Sequence, residues 1–336
     1  MKTNSNKVPK LAFLNTMALA AMAQKDDGRH IHDRVVEANA ALFTESYFSE
    51  PLTSYATGFR DTNNIEESLQ FYAPKVAVPR RFEFAQAANA EEFYSDGDDD
   101  ERAIGGDFGK VEYTETKVNA KTINRGLKIT VDLDEVADKE GWREQAVAKL
   151  MRRLKRNSLR RALALLSTAA VNTAKTWDTT AGKDPDQDIM NELILAATAS
   201  GVRPNRIGFG DTAFSKRVLA HRAQNSAGGF ASASLSPDQI AASLAVDGVH
   251  ISRERYSTGG AKAEILGNLV LMFMALDAAD KEDASNIKRF VSPTIGGGDV
   301  RVYEREVNEK LYDIVVEHYE LTSITSTLGI RKFTVS

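Results

Sequence analysis

Basic side chains dominate one stretch of this sequence. Between Gln145 and Trp177 there are eight Lys or Arg and no Asp or Glu, and the densest part is Met151-Arg152-Arg153-Leu154-Lys155-Arg156-Asn157-Ser158-Leu159-Arg160-Arg161. Such a run can meet the phosphates of a nucleic acid by charge alone. It can equally be a solvated polar face, or a docking surface for carboxylates. The chain itself supplies carboxylates, because residues 91–101 (EEFYSDGDDDE) carry seven acids in eleven positions. A loop holding Asp96, Asp98, Asp99, Asp100 and Glu101 of one copy, laid on Arg152, Arg153, Arg156, Arg160 and Arg161 of the next, would pair the two. Single exposed pairs contribute only about 0–1 kcal/mol, so the pairing matters only when repeated many times. The basic run has no interleaved aromatics for base stacking, and no helix-turn-helix spacing follows it.

No catalytic set accompanies these charges. The histidines are His30, His32, His221, His250 and His318, and His30-x-His32 lacks the third ligand that a metal site needs. The acidic run lacks the ligand periodicity and the twelfth-position glutamate of a calcium loop. Gly105-Gly106 and Gly296-Gly297-Gly298 are not followed by the Lys-Ser or Lys-Thr of a phosphate loop, so they read as turns. There is no Gly-x-Ser-x-Gly elbow. Cysteine is absent, which excludes disulfides, thiolate zinc sites and cysteine nucleophiles. No enzymatic activity, metal or cofactor is expected.

The element that positions the basic run is a helix. From Trp142 to Lys175 no proline or glycine intervenes, and Ala146, Leu150, Leu154, Ala162, Leu166 and Ala169 recur at helical spacing. The spacing predicts one helix about 34 residues and roughly 50 Å long, which needs several partners along its length. With 336 residues, 42% hydrophobic and 27% charged, the chain can build that surrounding as a soluble globular protein of one large or two ordinary domains. Its net charge of -4 hides the segregation of sign.

At the N-terminus, Lys2, Lys7 and Lys10 precede the mostly apolar run Leu11 to Ala23 in the manner of a secretory leader. Asn15 and Thr16 split that run, which therefore reads as an amphipathic helical arm, too short to span a membrane. Residues 33–44 read as a short helix, 51–64 as a loop rich in turn formers, and 65–73 as a helix stopped by Pro74. Residues 75–84 alternate like a strand, with Pro79 favouring an edge. Residues 110–119 and 121–133 alternate too, so 75–133 reads as a long two-stranded excursion with an acidic, glycine-rich distal part. Beyond the long helix, Asp184-Pro185-Asp186 caps a helix over 187–200. A short buried strand over 206–210, a helix from Asp211 to about 224, a flexible loop at 225–236, a helix over 236–245 and strands at 249–254 and 268–276 make an α/β unit. Strands at 299–305, 310–320 and 329–335 close the chain.

That order of parts resembles the major capsid proteins of tailed bacteriophages, the Hong Kong 97-like shell fold. The local stretches that carry the resemblance are Val78-Pro79-Arg80-Arg81-Phe82-Glu83-Phe84, Arg102-Ala103-Ile104-Gly105-Gly106-Asp107-Phe108, Trp177 followed by Asp184-Pro185-Asp186-Gln187-Asp188-Ile189, and Arg203-Pro204-Asn205-Arg206-Ile207-Gly208-Phe209-Gly210. They span roughly residues 70–336, and their order and spacing are more specific than any one of them. The resemblance implies an α+β fold with an N-terminal arm and linker (1–74), an extended loop (75–130), a peripheral domain with a spine helix (131–183, with return strands at 291–336) and an axial domain (184–290). It implies self-assembly into the hexamers and pentamers of an icosahedral head around double-stranded DNA, contacted non-specifically. It also implies a separate scaffolding protein, a portal, no membrane, assembly in the host cytoplasm and residence in the virion. Arg80 and Arg81, at the start of the extended loop, join the subunit-contact candidates. Three other readings stay open. One is an encapsulin-type nanocompartment shell, against which the acidic loop and the arm speak. The second is a nucleic-acid-binding protein using the basic helix 149–161. The third is a secreted protein, should residues 1–23 be a leader.

Overall fold

Pro51 at the start of a turn, with Leu52 and Ala56 four residues apart and both buried, makes a helix, α1 (Glu50–Gly58), out of a stretch that reads as loop. The computed structural model describes residues 47–336 apart from 62–63, 88–101, 103, 105, 107–114, 137, 259 and 278–282. The arm over 1–46 with its helix at 33–44, the pair His30 and His32, and the acidic run 91–101 lie outside the described residues. After α1 come α2 (Ile65–Tyr72), β1 (Lys75–Ala77), β2 (Arg81–Ala87), β3 (Glu115–Lys121), β4 (Ile123–Asp132), a short α3 (Leu133–Val136), the long α4 (Trp142–Ala169) and β5 (Val171–Lys175). The second half runs α5 (Pro185–Ser200), β6 (Arg206–Gly210), α6 (Asp211–Ala223), α7 (Ala227–Ala233), α8 (Pro237–Leu244), β7 (Gly248–Ser252), β8 (Arg255–Thr258), β9 (Ala261–Glu264), β10 (Leu269–Phe273), β11 (Ile287–Ser292), β12 (Val300–Glu306), β13 (Leu311–Ile324) and β14 (Arg331–Val335).

Two five-stranded sheets organise these elements. In the first, β13 is the hub: it pairs antiparallel with β4, β12 and β11, and β1 adds in parallel to β11. The second has the order β5-β14-β10-β6-β7. Pro79 divides the expected strand 75–84, so that β1 joins the first sheet while β2 pairs only with β3. Phe82 and Phe84 cover one face of that two-stranded sheet by packing on Phe290.

The long helix is shorter than the expected length of about 34 residues, and it ends with its apolar stripe at Ala169. It has 28 residues and stops at Ala169; Ala170 turns extended (φ -73, ψ 135), and Val171–Lys175 becomes a strand parallel to β14. The β-branched Val171 and Thr173 favour that state, and an open edge on β14 supplies the hydrogen bonds. Two cores share the helix. Ala146, Val147, Leu150, Met151 and Leu154 pack with α1, β12 and β13, whereas Leu159, Leu163 and Leu166 pack with α2, β10 and β11. Its roughly 42 Å length is therefore supported by one sheet at its start and by both at its end.

The α/β unit has its own core of Trp177, Ile189, Leu193, Phe209, Ile240 and Phe333, among others. The Asp184 side chain caps α5 by accepting from the amides of Asp186 and Gln187, and Ser236 and Gln239 form a reciprocal capping box on α8. Residues 225–236 are not simply a loop. Ser226 Oγ accepts from the Gly229 amide (3.0 Å) and starts α7, which folds against α6 where a Cβ at Gly229 would come within 2.5 Å of the His221 carbonyl. The hairpin β8–β9 and the buried strand β11 have no counterpart in the sequence reading.

Gly210 makes a strong test of this packing. A Cβ there would lie 2.0 Å from the Gly267 carbonyl oxygen, a backbone atom that cannot swing aside. Gly210→Ala is expected to destabilise the protein at or above the upper end of the usual overpacking cost of about 1–3 kcal/mol. Gly228→Ala, with nothing within 4 Å and a helical backbone, should be neutral or slightly stabilising. Chemical denaturation of both variants checks this, and equal midpoints would contradict it.

Candidate functional site

Helical geometry sends the charges of α4 to the flanks of its buried stripe, where most of them meet a partner from elsewhere in the chain. Arg152 Nε lies 3.3 Å from Asp61 Oδ1, and its guanidinium sits 5.8 Å from the Phe59 ring. Lys155 pairs with Glu66 (3.4 Å) on α2. Arg156 Nε donates to Glu254 Oε2 (3.0 Å), and the Arg160 guanidinium lies 4.0 Å over the Tyr256 ring. Arg161 Nη2 donates to Ser158 Oγ (2.8 Å) and to Glu320 Oε1 (3.0 Å). The basic run is thus matched largely within its own chain. Its acids are Asp61, Glu66, Glu254 and Glu320, scattered so widely that no local pattern announces them. Lys149 and Arg153 are exposed, with no ion pair among the described residues. Arg80 and Arg81 sit apart from the run, at the root of β2: Arg80 covers the Tyr319 ring at 4.0 Å, and Arg81 is exposed opposite Lys121.

Glu320 is the deepest of these groups, 1% exposed on β13. Ser158 Oγ donates to its Oε2 (3.0 Å), Arg161 holds its Oε1, and Arg289 on β11 approaches to 4.0 Å. Burial pushes the carboxyl up, but His318, Arg289, Ser158 and Arg161 outweigh it and hold it below the usual range. Arg289 Nη2 also donates to Glu66 Oε1 (2.7 Å). Burial likewise raises the Glu66 carboxyl, and Arg289 and Lys155 bring it below its ordinary value. His318 is lowered, first by burial and then by Arg161, Arg289 and Arg125, against the opposing pull of Glu320. Of these groups Glu66, Lys155, Ser158, Arg289, His318 and Glu320 line a cleft of about 880 Å³, whose apolar side includes Ala56, Leu69, Met151 and Leu154. Their donors and acceptors are mostly spent on one another. The arrangement fixes α4 to α2, β11 and β13.

A second buried cluster does the same for the α/β unit. Arg217 on α6, fully buried, donates from Nε and Nη2 to Asp186 Oδ1 (2.7 Å) and Oδ2 (2.6 Å), and from Nη2 to the Ser232 carbonyl (3.2 Å). His221 Nε2 lies 3.3 Å from the same carboxylate. One guanidinium so ties α5, α6 and α7. The sequence reading missed both clusters. For the first, the signal was an inward-facing charge in a strongly apolar strand, as in KLYDIVVEHYE (310–320); the second, whose Asp186, Arg217 and His221 lie on helices, gave no such signal. Among the described residues, no three His, Asp or Glu converge as a metal site, and no helix is long and apolar enough to cross a membrane.

No protein-family model matches the sequence, and no curated protein matches it. Solved structures do match in fold. A phage-related protein from Bordetella bronchiseptica RB50 is 16% identical, with 85% of this chain and 96% of that chain covered and a TM-score of 0.60. A structure from Microbacterium phage Oxtober96 is 14% identical over 80% of this chain and 90% of that one, with a TM-score of 0.50. The capsid structure of the cyanophage P-SCSP1u is more distant, at 10% identity over 80% and 87% and a TM-score of 0.49. The first two establish the architecture: the chain has the α+β, Hong Kong 97-like fold that its sequence resemblance leads one to expect.

Proposed function

We propose that this chain is the major capsid protein of a tailed bacteriophage, assembling into the hexamers and pentamers of an icosahedral head. The observation that carries the reading is the fold match at a TM-score of 0.60 over 96% of a phage-related protein. The surface supports it. Ile194 and Leu195 on α5, Leu219 on α6 and Phe230 on α7 are each about half exposed, so the α/β unit leaves large apolar side chains for neighbouring copies to cover.

In this reading residues 75–130 reach a neighbour, 131–183 with 291–336 form the peripheral domain, and 184–290 form the axial domain. Asp96, Asp98, Asp99, Asp100 and Glu101 of one copy meet basic residues of another. With Arg152, Arg156, Arg160 and Arg161 engaged in their own chain, and Arg80 over the Tyr319 ring, the receiving cations are Arg81 and Arg153. A separate scaffolding protein and a portal complete the assembly in the host cytoplasm. The virion then encloses double-stranded DNA, whose phosphates suit the exposed Lys149.

Sedimentation velocity of the purified protein, with scaffold or crowding agent, tests this reading. Closed particles or rings are expected to sediment far ahead of the 36.8 kDa chain. Neutralising Asp96, Asp98, Asp99 and Asp100 together to Asn should shift material back to small species. Unchanged particle yield in that variant would remove the acidic loop from the contact, and small species alone from the parent protein would count against the capsid reading itself.

A further inference from the structure

The hairpin β8–β9 leaves the second sheet after β7 and returns to it before β10. Its entry strip touches two elements at once. Strand geometry points successive side chains to opposite sides, and here the alternation is used. Glu254 and Tyr256 face the long helix, meeting Arg156 (3.0 Å) and Arg160 (4.0 Å to the ring). Arg255 between them faces the start of α6, where its Nη2 donates to Asp211 Oδ2 (3.0 Å) and to Glu264 Oε1 (3.1 Å). Glu264, across the hairpin, accepts from the Thr212 hydroxyl (3.0 Å) and amide (3.3 Å). The Ile265 amide closes the hairpin base on the Glu254 carbonyl (3.0 Å). Leu266 then enters the core that contains Leu159 and Leu163 of α4.

We infer that this hairpin is a strut that sets the angle between the spine helix α4 and the α/β unit, with Arg156 and Arg160 as its positioning residues on the helix. The cations that look from sequence like a nucleic-acid or neighbour surface instead read the position of Glu254 and Tyr256. Both contacts are at the surface edge, with Arg156 and Glu254 side chains 36% and 16% exposed. They are strong enough to bias an angle and weak enough to yield when neighbours press on it. Resting on the capsid reading, the strut also deepens it, because in a shell subunit this angle sets local curvature.

Amide hydrogen exchange on the free full-length subunit tests the strut without any need for assembly. Arg156→Glu sets two carboxylates against each other and is expected to speed exchange across residues 255–264 by about tenfold. Tyr256→Ala should act in the same direction. The exchanged pair Arg156→Glu with Glu254→Arg should return exchange to within about threefold of the parent. A hairpin whose exchange ignores both single variants, or a charge exchange no better protected than Arg156→Glu alone, overturns the strut. Electron microscopy then reads particle diameter. Altered particles from Arg156→Glu and parental ones from the exchanged pair support the link to curvature. Parental diameters from a variant whose hairpin has loosened overturn that link while leaving the strut. Absence of particles from the parent protein speaks against the capsid reading alone.

Discussion

Replacing Arg217 by methionine is expected to destabilise the protein by about 3–5 kcal/mol, the usual cost of removing one partner from a buried ion pair. The guanidinium is fully buried and satisfies both oxygens of Asp186. Burial pushes the Asp186 carboxyl up, but His221 and Arg217 outweigh it and keep it ionised below its ordinary value. With Arg217 gone, a mostly buried carboxylate keeps only His221, and the Ser232 carbonyl loses its donor. The melting midpoint should fall by roughly 5–10 °C, and amides of α7 should exchange first. The double variant Arg217→Met with Asp186→Leu should recover part of the loss, because an apolar pair of similar volume avoids the stranded charge. A single variant as stable as the parent would show that α7 is held by something else.

The second large effect is expected at Glu320. Glu320→Leu leaves Arg161 and Arg289 without their shared carboxylate beneath α4. Because the Arg161 side chain is 30% exposed and can partly rehydrate, the expected loss is near the lower end of that range, about 3 kcal/mol. The pH dependence gives an independent reading. The folded Glu320 is held below the ordinary glutamate value of 4.5, so its contribution is full above that value and is lost as pH falls through the folded one. His318 is held below the ordinary histidine value of 6.5, so the folded protein keeps it neutral where the unfolded chain would protonate it. Its contribution is therefore full above pH 6.5 and declines as the pH falls below that. Stability of the parent against pH should slope downward in two stages on acidification. Glu320→Leu should flatten the lower stage, and an unaltered lower stage would remove Glu320 from the account.

Local signals made much of the fold legible. The stripe through Ala146, Leu150 and Leu154 gave the spine helix, Asp184 gave the start of α5, and Ser236-Pro237-Asp238 gave the start of α8. The failures have one physical origin: a distant partner overrode a local preference. Val171–Lys175 carry no helix breaker, yet they become strand because β14 lies beside them. In α1, burial of Leu52 and Ala56 outweighs the turn formers around them. Strand β11 was hidden because its Lys288 and Arg289 look like surface residues. In the fold, Lys288 Nζ lies 3.0 Å from Asp283, and Arg289 pairs with Glu66. The same holds for the candidate site. The run 152–161 was plain, but its meaning depended on acids at 61, 66, 254 and 320, which no spacing rule connects to it.

Negative-stain electron microscopy of the purified protein, alone and with scaffold or crowding agent, bears most directly on the central claim. Closed shells, tubes or rings of five or six copies are the predicted result. A monodisperse monomer or dimer under every one of those conditions would contradict it, and would return the exposed Lys149 and Arg153 to consideration as a nucleic-acid contact.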